Sequence, residues 1–212
     1  PTFDLKAFKK IIEGRFVDIQ KAWSDQELFS VRPFISDGIW QRFHVQFKMM
    51  QQLEQTNKVS RVRVKKVCLV EYDEQGLYDV IHLGIQASCR DAFICNLDSS
   101  LNSRGTDTFV EYWSFIRKRN AKSNKVFSDN SCPSCGAPLP KDMGEVAKCT
   151  HCDVVVNSAD YDWVLSEITQ EEDWKAYKKQ KKNYALRTML ATFEEESPNF
   201  APQFLEDKAS NA

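Results

Sequence analysis

Two Cys-x-x-Cys pairs constrain this chain more than any other feature. Cys132-Pro133-Ser134-Cys135-Gly136 is followed by Cys149-Thr150-His151-Cys152, with thirteen residues between Cys135 and Cys149. Each pair makes a tight turn that aims two thiolates at one point, and Gly136 permits the positive φ such a turn uses. Two turns supply four sulfurs, the donor set of a closed tetrahedral zinc site. The gap is slightly shorter than the roughly 15–20 residues usual between such pairs, but a compact ribbon spans it. A rubredoxin-like iron site and two redox dithiols are the competing readings. His151 offers an alternative ligand that four thiols make unnecessary. The expectation is one structural zinc ion on Cys132, Cys135, Cys149 and Cys152, with no open position for catalysis.

The rest of the chain must bury a core of its own. With 212 residues, 42% of them hydrophobic, it has enough material for one domain plus a small module. Fourteen Phe and five Trp favour bulky packing or an apolar pocket over disorder. A net charge of −1 gives no global field toward nucleic acid. Cys68, Cys89 and Cys95 lie in or beside apolar, strand-like stretches, where a thiol behaves as a small hydrophobe. An odd count of seven cysteines around a thiolate site suits a reducing, cytosol-facing location. No apolar run reaches the ~20 residues of a membrane-spanning helix, and no signal-peptide pattern is present. The opening Pro1-Thr2-Phe3 lacks an initiator Met, so a longer protein is expected, with membrane attachment through a segment outside this sequence.

Hydrophobic periodicity orders the elements. Phe8, Ile12, Phe16, Ile19 and Trp23 form one stripe of an amphipathic helix. Ser36-Asp37 caps a second helix carrying Trp40, Phe43, Phe47, Met50 and Leu53, which is expected to end near Asn57-Lys58. Residues 59–72 are rich in β-branched side chains, Asp73-Glu74-Gln75-Gly76 reads as a hairpin turn, and residues 78–94 alternate at period two. Residues 97–107 read as a polar loop, residues 109–117 as the next strand, and residues 160–168 as the last. The tail from Thr169 reads as a charged helix that frays toward its end. Helices first and antiparallel strands later give an α+β class: long N-terminal helices on a curved antiparallel sheet, with a small zinc-ribbon insertion.

The residues flanking the ribbon resemble the Tim44-like domain family. Trp23-x-Asp25-x-x-Leu28 with Val31-Arg32-Pro33-Phe34-Ile35-Ser36-Asp37 is similar to its helical half. Ala87-Ser88 with Asp91, and Glu111-Tyr112-Trp113-Ser114-Phe115-Ile116-Arg117, are similar to its strands. Trp163-Val164-Leu165-Ser166-Glu167-Ile168 matches its closing strand, which in the family directly follows the preceding one. Here about 45 residues intervene. The resemblance therefore implies a discontinuous cone domain, residues 1–125 with 158–170, a ribbon inserted at 128–157, and a charged helix and tail at 171–212. Insertion at a hairpin tip costs only slowly growing loop entropy. The resemblance also implies a cone like that of nuclear transport factor two with an apolar cavity, and membrane-peripheral scaffolding. Mitochondrial members tether a chaperone at a translocase and touch anionic lipid.

Three functions compete. The first is a non-enzymatic, membrane-associated adaptor. It would bind a protein partner or an anionic lipid surface through an apolar groove of Trp40, Phe43, Phe47, Trp113 and Phe115. Two basic clusters, Arg61/Arg63/Lys65/Lys66 and Arg117/Lys118/Arg119/Lys122/Lys125, suit such a surface, although a solvated face in a charge-balanced protein is the commoner origin of each. The second is a small-molecule-binding or enzymatic cone, with Asp79, Asp91, Tyr112 and Tyr161 as candidates by residue type. No catalytic spacing accompanies them, and His44, His82 and His151 are the only histidines. The third, nucleic-acid binding by the ribbon, is disfavoured, because Lys141 and Lys148 are offset there by Asp142 and Glu145.

Overall fold

The computed structural model describes residues 3–121, 131–180 and 184–209. Helix α1 (Leu5–Asp25) starts where the Asp4 carboxylate accepts from the Lys6 and Ala7 amides at 2.9 and 3.0 Å. That satisfies two of the amides a helix start leaves unpaired. Its buried stripe is the predicted one, Phe8, Ile12, Phe16 and Ile19. The chain then passes through a short turn, Arg32–Phe34, into helix α2 (Asp37–Gln52). There the Ser36 hydroxyl accepts from the Ile39 amide at 3.1 Å. Helix α2 ends about five residues before the expected position. Glu54 takes a left-handed φ of 49°, and Gln55 already pairs with Cys95. Strand pairing overrides the helical pattern there.

Four strands follow: β1 (Gln55–Gln75), β2 (Tyr78–Cys95), β3 (Ser103–Lys118) and β4 (Val164–Gln170). They form one curved antiparallel sheet in the order β1-β2-β3-β4. Bulges in β1, between Ser60 and Arg63, Val64 and Lys66, and Leu69 and Glu71, bend it. The second half of the polar stretch expected as a loop is strand, since the β2–β3 ladder runs on to Phe93↔Ser103, while residues 97–102 remain a connection. Conversely, residues 160–162 are bends, and β4 begins only at Val164. The front face of the sheet carries Ile81, Leu83, Ile85 and Ala87 of β2, Trp113 and Phe115 of β3, and Leu165 of β4. All pack against α1 in one core. Phe8 meets Phe115, and Phe16 meets Trp113, each with ring centroids 5.3 Å apart. Each such buried side chain contributes about 1.5–3 kcal/mol.

Strands β3 and β4 pair with Ile116 opposite Val164, and the cysteine ribbon rises between them. After β4 come α3 (Glu171–Gln180), α4 (Tyr184–Glu196) and α5 (Pro202–Ala209). The described part of the tail, through residue 209, does not fray as expected. It folds back, burying Ala201, Gln203 and Asp207 and setting Phe204 edge-on to Tyr78 at 4.9 Å. The Leu77 amide donates to the Pro198 carbonyl at 2.9 Å. A Cβ at Gly76 would lie 2.5 Å from that same carbonyl oxygen, so the β1–β2 turn tolerates only glycine. Trp174 of α3 stacks on Tyr112 at 4.8 Å on the back of the sheet. Among the described residues, no helix is long and apolar enough to cross a membrane.

Candidate metal centre and cleft

The ribbon is built from two nearly equivalent turns. In the first, the Cys132 amide donates to Ala137 and the Gly136 amide to Cys132, at 2.8 and 2.9 Å. In the second, the Cys149 amide donates to Val154 and the Asp153 amide to Cys149, at 2.9 and 3.0 Å. Gly136 and Asp153 occupy corresponding positive-φ positions, at 74° and 56°. The four sulfurs lie within 4.8 Å of one another, with Cys132–Cys152 and Cys135–Cys149 each at 3.7 Å. A tetrahedron with metal–sulfur bonds of about 2.3 Å has edges of about 3.8 Å. The donor set therefore fits a four-thiolate metal site. The His151 ring is not part of the cluster, but its amide donates to the Cys149 sulfur at 3.4 Å. That bond leads in bringing the Cys149 thiol down to about 6. A small apolar core of Leu139, Ala147 and Val156 lies under the turns.

The ribbon is clamped to the helical layer by a residue the sequence reading gave only as part of a motif. Arg32, 2% exposed, donates to the Gly144 carbonyl at 3.2 Å and to the Glu145 carbonyl at 2.9 Å. It also pairs with Asp37 at 2.6 Å. Asn157 adds bonds to the Ile35 carbonyl and Asp37 at 2.8 and 2.9 Å. Burial pulls the Arg32 guanidinium below its ordinary value, against the support of Asp37. Of the second basic cluster, Lys122 and Lys125 lie outside the described residues, as do the expected ribbon and cone boundaries at 125 and 128. Lys118 pairs with Asp160, and Arg119 with Glu74.

A cleft of about 610 Å³ opens between α1, α2 and the front of the sheet. Trp23, Phe43, Phe109 and Ile168 give it apolar walls, while Asp91, Asp107, Glu111, Asp173 and Arg42 give it charge. Glu111 is buried and accepts from Trp113 Nε1 at 3.0 Å and Gln170 Nε2 at 3.3 Å. Burial raises its carboxyl above the usual range, opposed by those two donors and by Arg42. The five aromatic residues expected along one groove are divided. Phe43 lines this cleft, and Trp40 and Phe47 line a smaller one of about 250 Å³ beside Arg32 and Met143. Trp113 and Phe115 are fully buried beneath α1. Tyr112 sits on the back of the sheet under Trp174, Tyr161 is half-buried, and Asp79 accepts from Tyr72 at 2.8 Å. Asp91 accepts from Asn57 at 2.6 Å. Glu111 had a sequence signal, since it interrupts the apolar alternation Phe109, Trp113, Phe115.

The family model of the Tim44-like domain matches residues 1–126. No curated protein sequence matches the chain. Among solved structures, the intermembrane space region of chloroplast protein ARC6 is similar at 11% identity and a TM-score of 0.40. That match covers 56% of this chain and 90% of the other.

Proposed function

The chain belongs to the Tim44-like domain family, and we propose that it serves as a non-enzymatic, membrane-associated scaffold with a structural zinc ribbon. Its cone comprises residues 1–125 with 158–170, and its ribbon residues 128–157. The zinc is held by Cys132, Cys135, Cys149 and Cys152. It fixes the ribbon and takes no part in chemistry, because four thiolates fill its coordination. The observation that carries the scaffold reading is the cleft of about 610 Å³, open and walled by Trp23, Phe43 and Phe109. A partner helix or extended segment gains its affinity there from buried aromatic area.

One observation favours a second reading, a small-molecule-binding or enzymatic cone: the buried Glu111 in the same cleft, whose carboxyl burial raises above the usual range. Its two donors, Trp113 and Gln170, already occupy its oxygens, which argues for a positioning role over proton transfer. The experiment that separates the readings places a photo-crosslinking residue at Gln46, on the cleft, or at Lys10, away from it. A discrete protein adduct from position 46 that disappears with Phe43→Asp supports the scaffold. A co-purified small molecule released by Glu111→Gln, with no protein adduct, transfers the cleft to the second reading.

A further inference from the structure

Strand β1 is the outer strand of the sheet, and among the described residues no strand lies beyond it. An open strand edge is a template for pairing with another chain. The near end of this edge is closed by α1. There the Ser24 hydroxyl accepts from the Val59 amide at 2.8 Å and donates to the Val59 carbonyl at 3.2 Å. Gln26 Nε2 donates to the Gln55 carbonyl at 3.3 Å. The far half differs: Leu69, Val70 and Tyr72 stand 40%, 39% and 48% exposed. Lys66 is exposed and makes no ion pair among the described residues.

The charge order of this half is complementary to its own reverse. Lys65-Lys66-Val67-Cys68-Leu69 begins basic, and Val70-Glu71-Tyr72-Asp73-Glu74 ends acidic. Two such strands laid antiparallel, with a two-fold axis at the Leu69–Val70 bulge, set Lys66 against Asp73 twice. They also set Val67 against Tyr72 and Cys68 against Glu71. In an unbroken strand these residues, an odd number of positions apart, would point to opposite faces. The bulge between Leu69 and Glu71 corrects the phase. Val67 and Tyr72 lie opposite Ile85 and Ile81, which share the front face. Lys66, Cys68, Glu71 and Asp73 lie opposite Gln86, Gly84, His82 and Val80, which share the back. All three pairs therefore meet on a common face.

We propose that β1 of one copy pairs antiparallel with β1 of a second copy across residues 66–73, joining two four-stranded sheets into one. The two Lys66–Asp73 pairs give the contact its register, and Val67, Leu69 and Tyr72 give it apolar area. Glu71 keeps Lys178 of its own chain, so it brings no uncompensated charge opposite Cys68. The contact is isologous and closes at two copies. The bulge between Val64 and Lys66 bounds the ladder at one end, and the β1–β2 turn bounds it at the other. Edge pairing keeps the two front faces on one side, so both clefts open on the same side of the joined sheet. A partner with two cleft-binding segments then gains from both. Only that gain rests on the scaffold reading; the pairing does not.

The test is sedimentation velocity of the purified, zinc-loaded chain across the micromolar range. The unaltered chain is expected to pass from one copy to two, less readily at high salt. Lys66→Glu or Asp73→Lys alone sets two like-charge pairs across the axis and weakens the dimer about tenfold. Mixed in equal amounts, the two variants regain it, because every facing pair is again opposite in sign. Lys10→Glu on α1 changes nothing. Asp73 also lies 3.9 Å from His82 Nε2 in its own chain, so hydrogen exchange supplies a readout without substitution. Exchange of residues 66–73 slows as concentration rises, while that of α1 is unchanged. A chain that stays single throughout overturns the proposal. So does a dimer indifferent to both charge variants, a mixture that fails to recover, or concentration-dependent protection on the ribbon or C-terminal helices instead of β1. A partner adduct at Gln46 on a single-copy chain leaves the scaffold standing and removes only the pairing.

Discussion

The ribbon and the cone solve the same problem by opposite means. The cone closes twenty buried apolar residues from two helices, three strands and the segments between them around one core. The ribbon closes five, two of which are cysteines of its own cluster. Apolar burial on that scale cannot offset the conformational entropy of ordering the residues of the ribbon. The difference teaches that the four-cysteine cluster is the ribbon's core, whereas the cone closes on apolar burial. The largest expected effect follows. Chelation or Cys135→Ser removes close to one equivalent of zinc, whose binding in small domains is worth about 10–16 kcal/mol. Hydrogen exchange should then rise throughout residues 131–157 while α1 stays protected. Stoichiometric iron with a visible charge-transfer band would replace the metal in this account.

The comparison is sharpened from the other side at Trp113. Its truncation to alanine removes a fully buried indole that packs on Phe16 and takes a hydrogen-bond donor away from buried Glu111. A loss of about 3–5 kcal/mol is expected, read as a lower denaturant midpoint. Zinc content should be unchanged. Loss of zinc along with the cone would show that the two regions fold as one.

They meet at Arg32. Arg32→Met leaves the Gly144 and Glu145 carbonyls without their donor and Asp37 without its cation. Removing one partner of a buried pair costs about 3–5 kcal/mol, and the partial exposure of Asp37 brings the expectation to about 2–4. The ribbon should keep its metal but lose its dock, so cross-links between residues 141–145 and α2 disappear. Deletion of residues 128–157 is predicted to leave a folded cone, more stable when combined with Arg32→Met than alone, because the guanidinium otherwise stays buried without its carbonyls. Equal stability of the two deletions would show that Arg32 reaches water instead.

Much of this was legible because the signals were local. The stripe Phe8, Ile12, Phe16, Ile19 and the cap at Ser36 depend on neighbours within one turn. So does the Cys-x-x-Cys spacing, which brought all four sulfurs together. What failed to show depends on contacts across the chain. The strand between Ser103 and Thr108 is polar and is held by its ladder to β2. Trp113 and Phe115 read as groove residues, because a strand pattern says that they share a face and not that α1 lies on it. Arg32 and Glu111 find their partners 112 and 59 residues away.

The C-terminal helix is the third such case, and its smaller effect is a titration. Asp207 on α5 is buried beside the start of α2, where the Ser36 hydroxyl donates to it. Burial pushes its carboxyl up to about 6, against the pull of Ser36 and Lys208 and with Glu167 and Asp37 adding to the rise. A carboxyl raised in the folded state is held protonated there while the unfolded chain ionises near 3.9. Docking therefore costs nothing extra below about pH 4. It weakens as pH climbs to about 6, then stays at that weaker level. We expect α5 to be about 1–2 kcal/mol less firmly held at pH 7 than at pH 4.5. The readout is hydrogen exchange of residues 202–209, corrected for intrinsic rates. Asp207→Asn should remove the dependence by giving the protonated-like state at every pH, whereas Lys208→Ala should leave the slope in place. The four-cysteine core of the ribbon, which lies outside the pocket that Asp207 lines with Val155 and Asn157, should show no parallel change over the same range. A shared transition would mean that thiolate protonation, and not Asp207, sets the pH response of the tail.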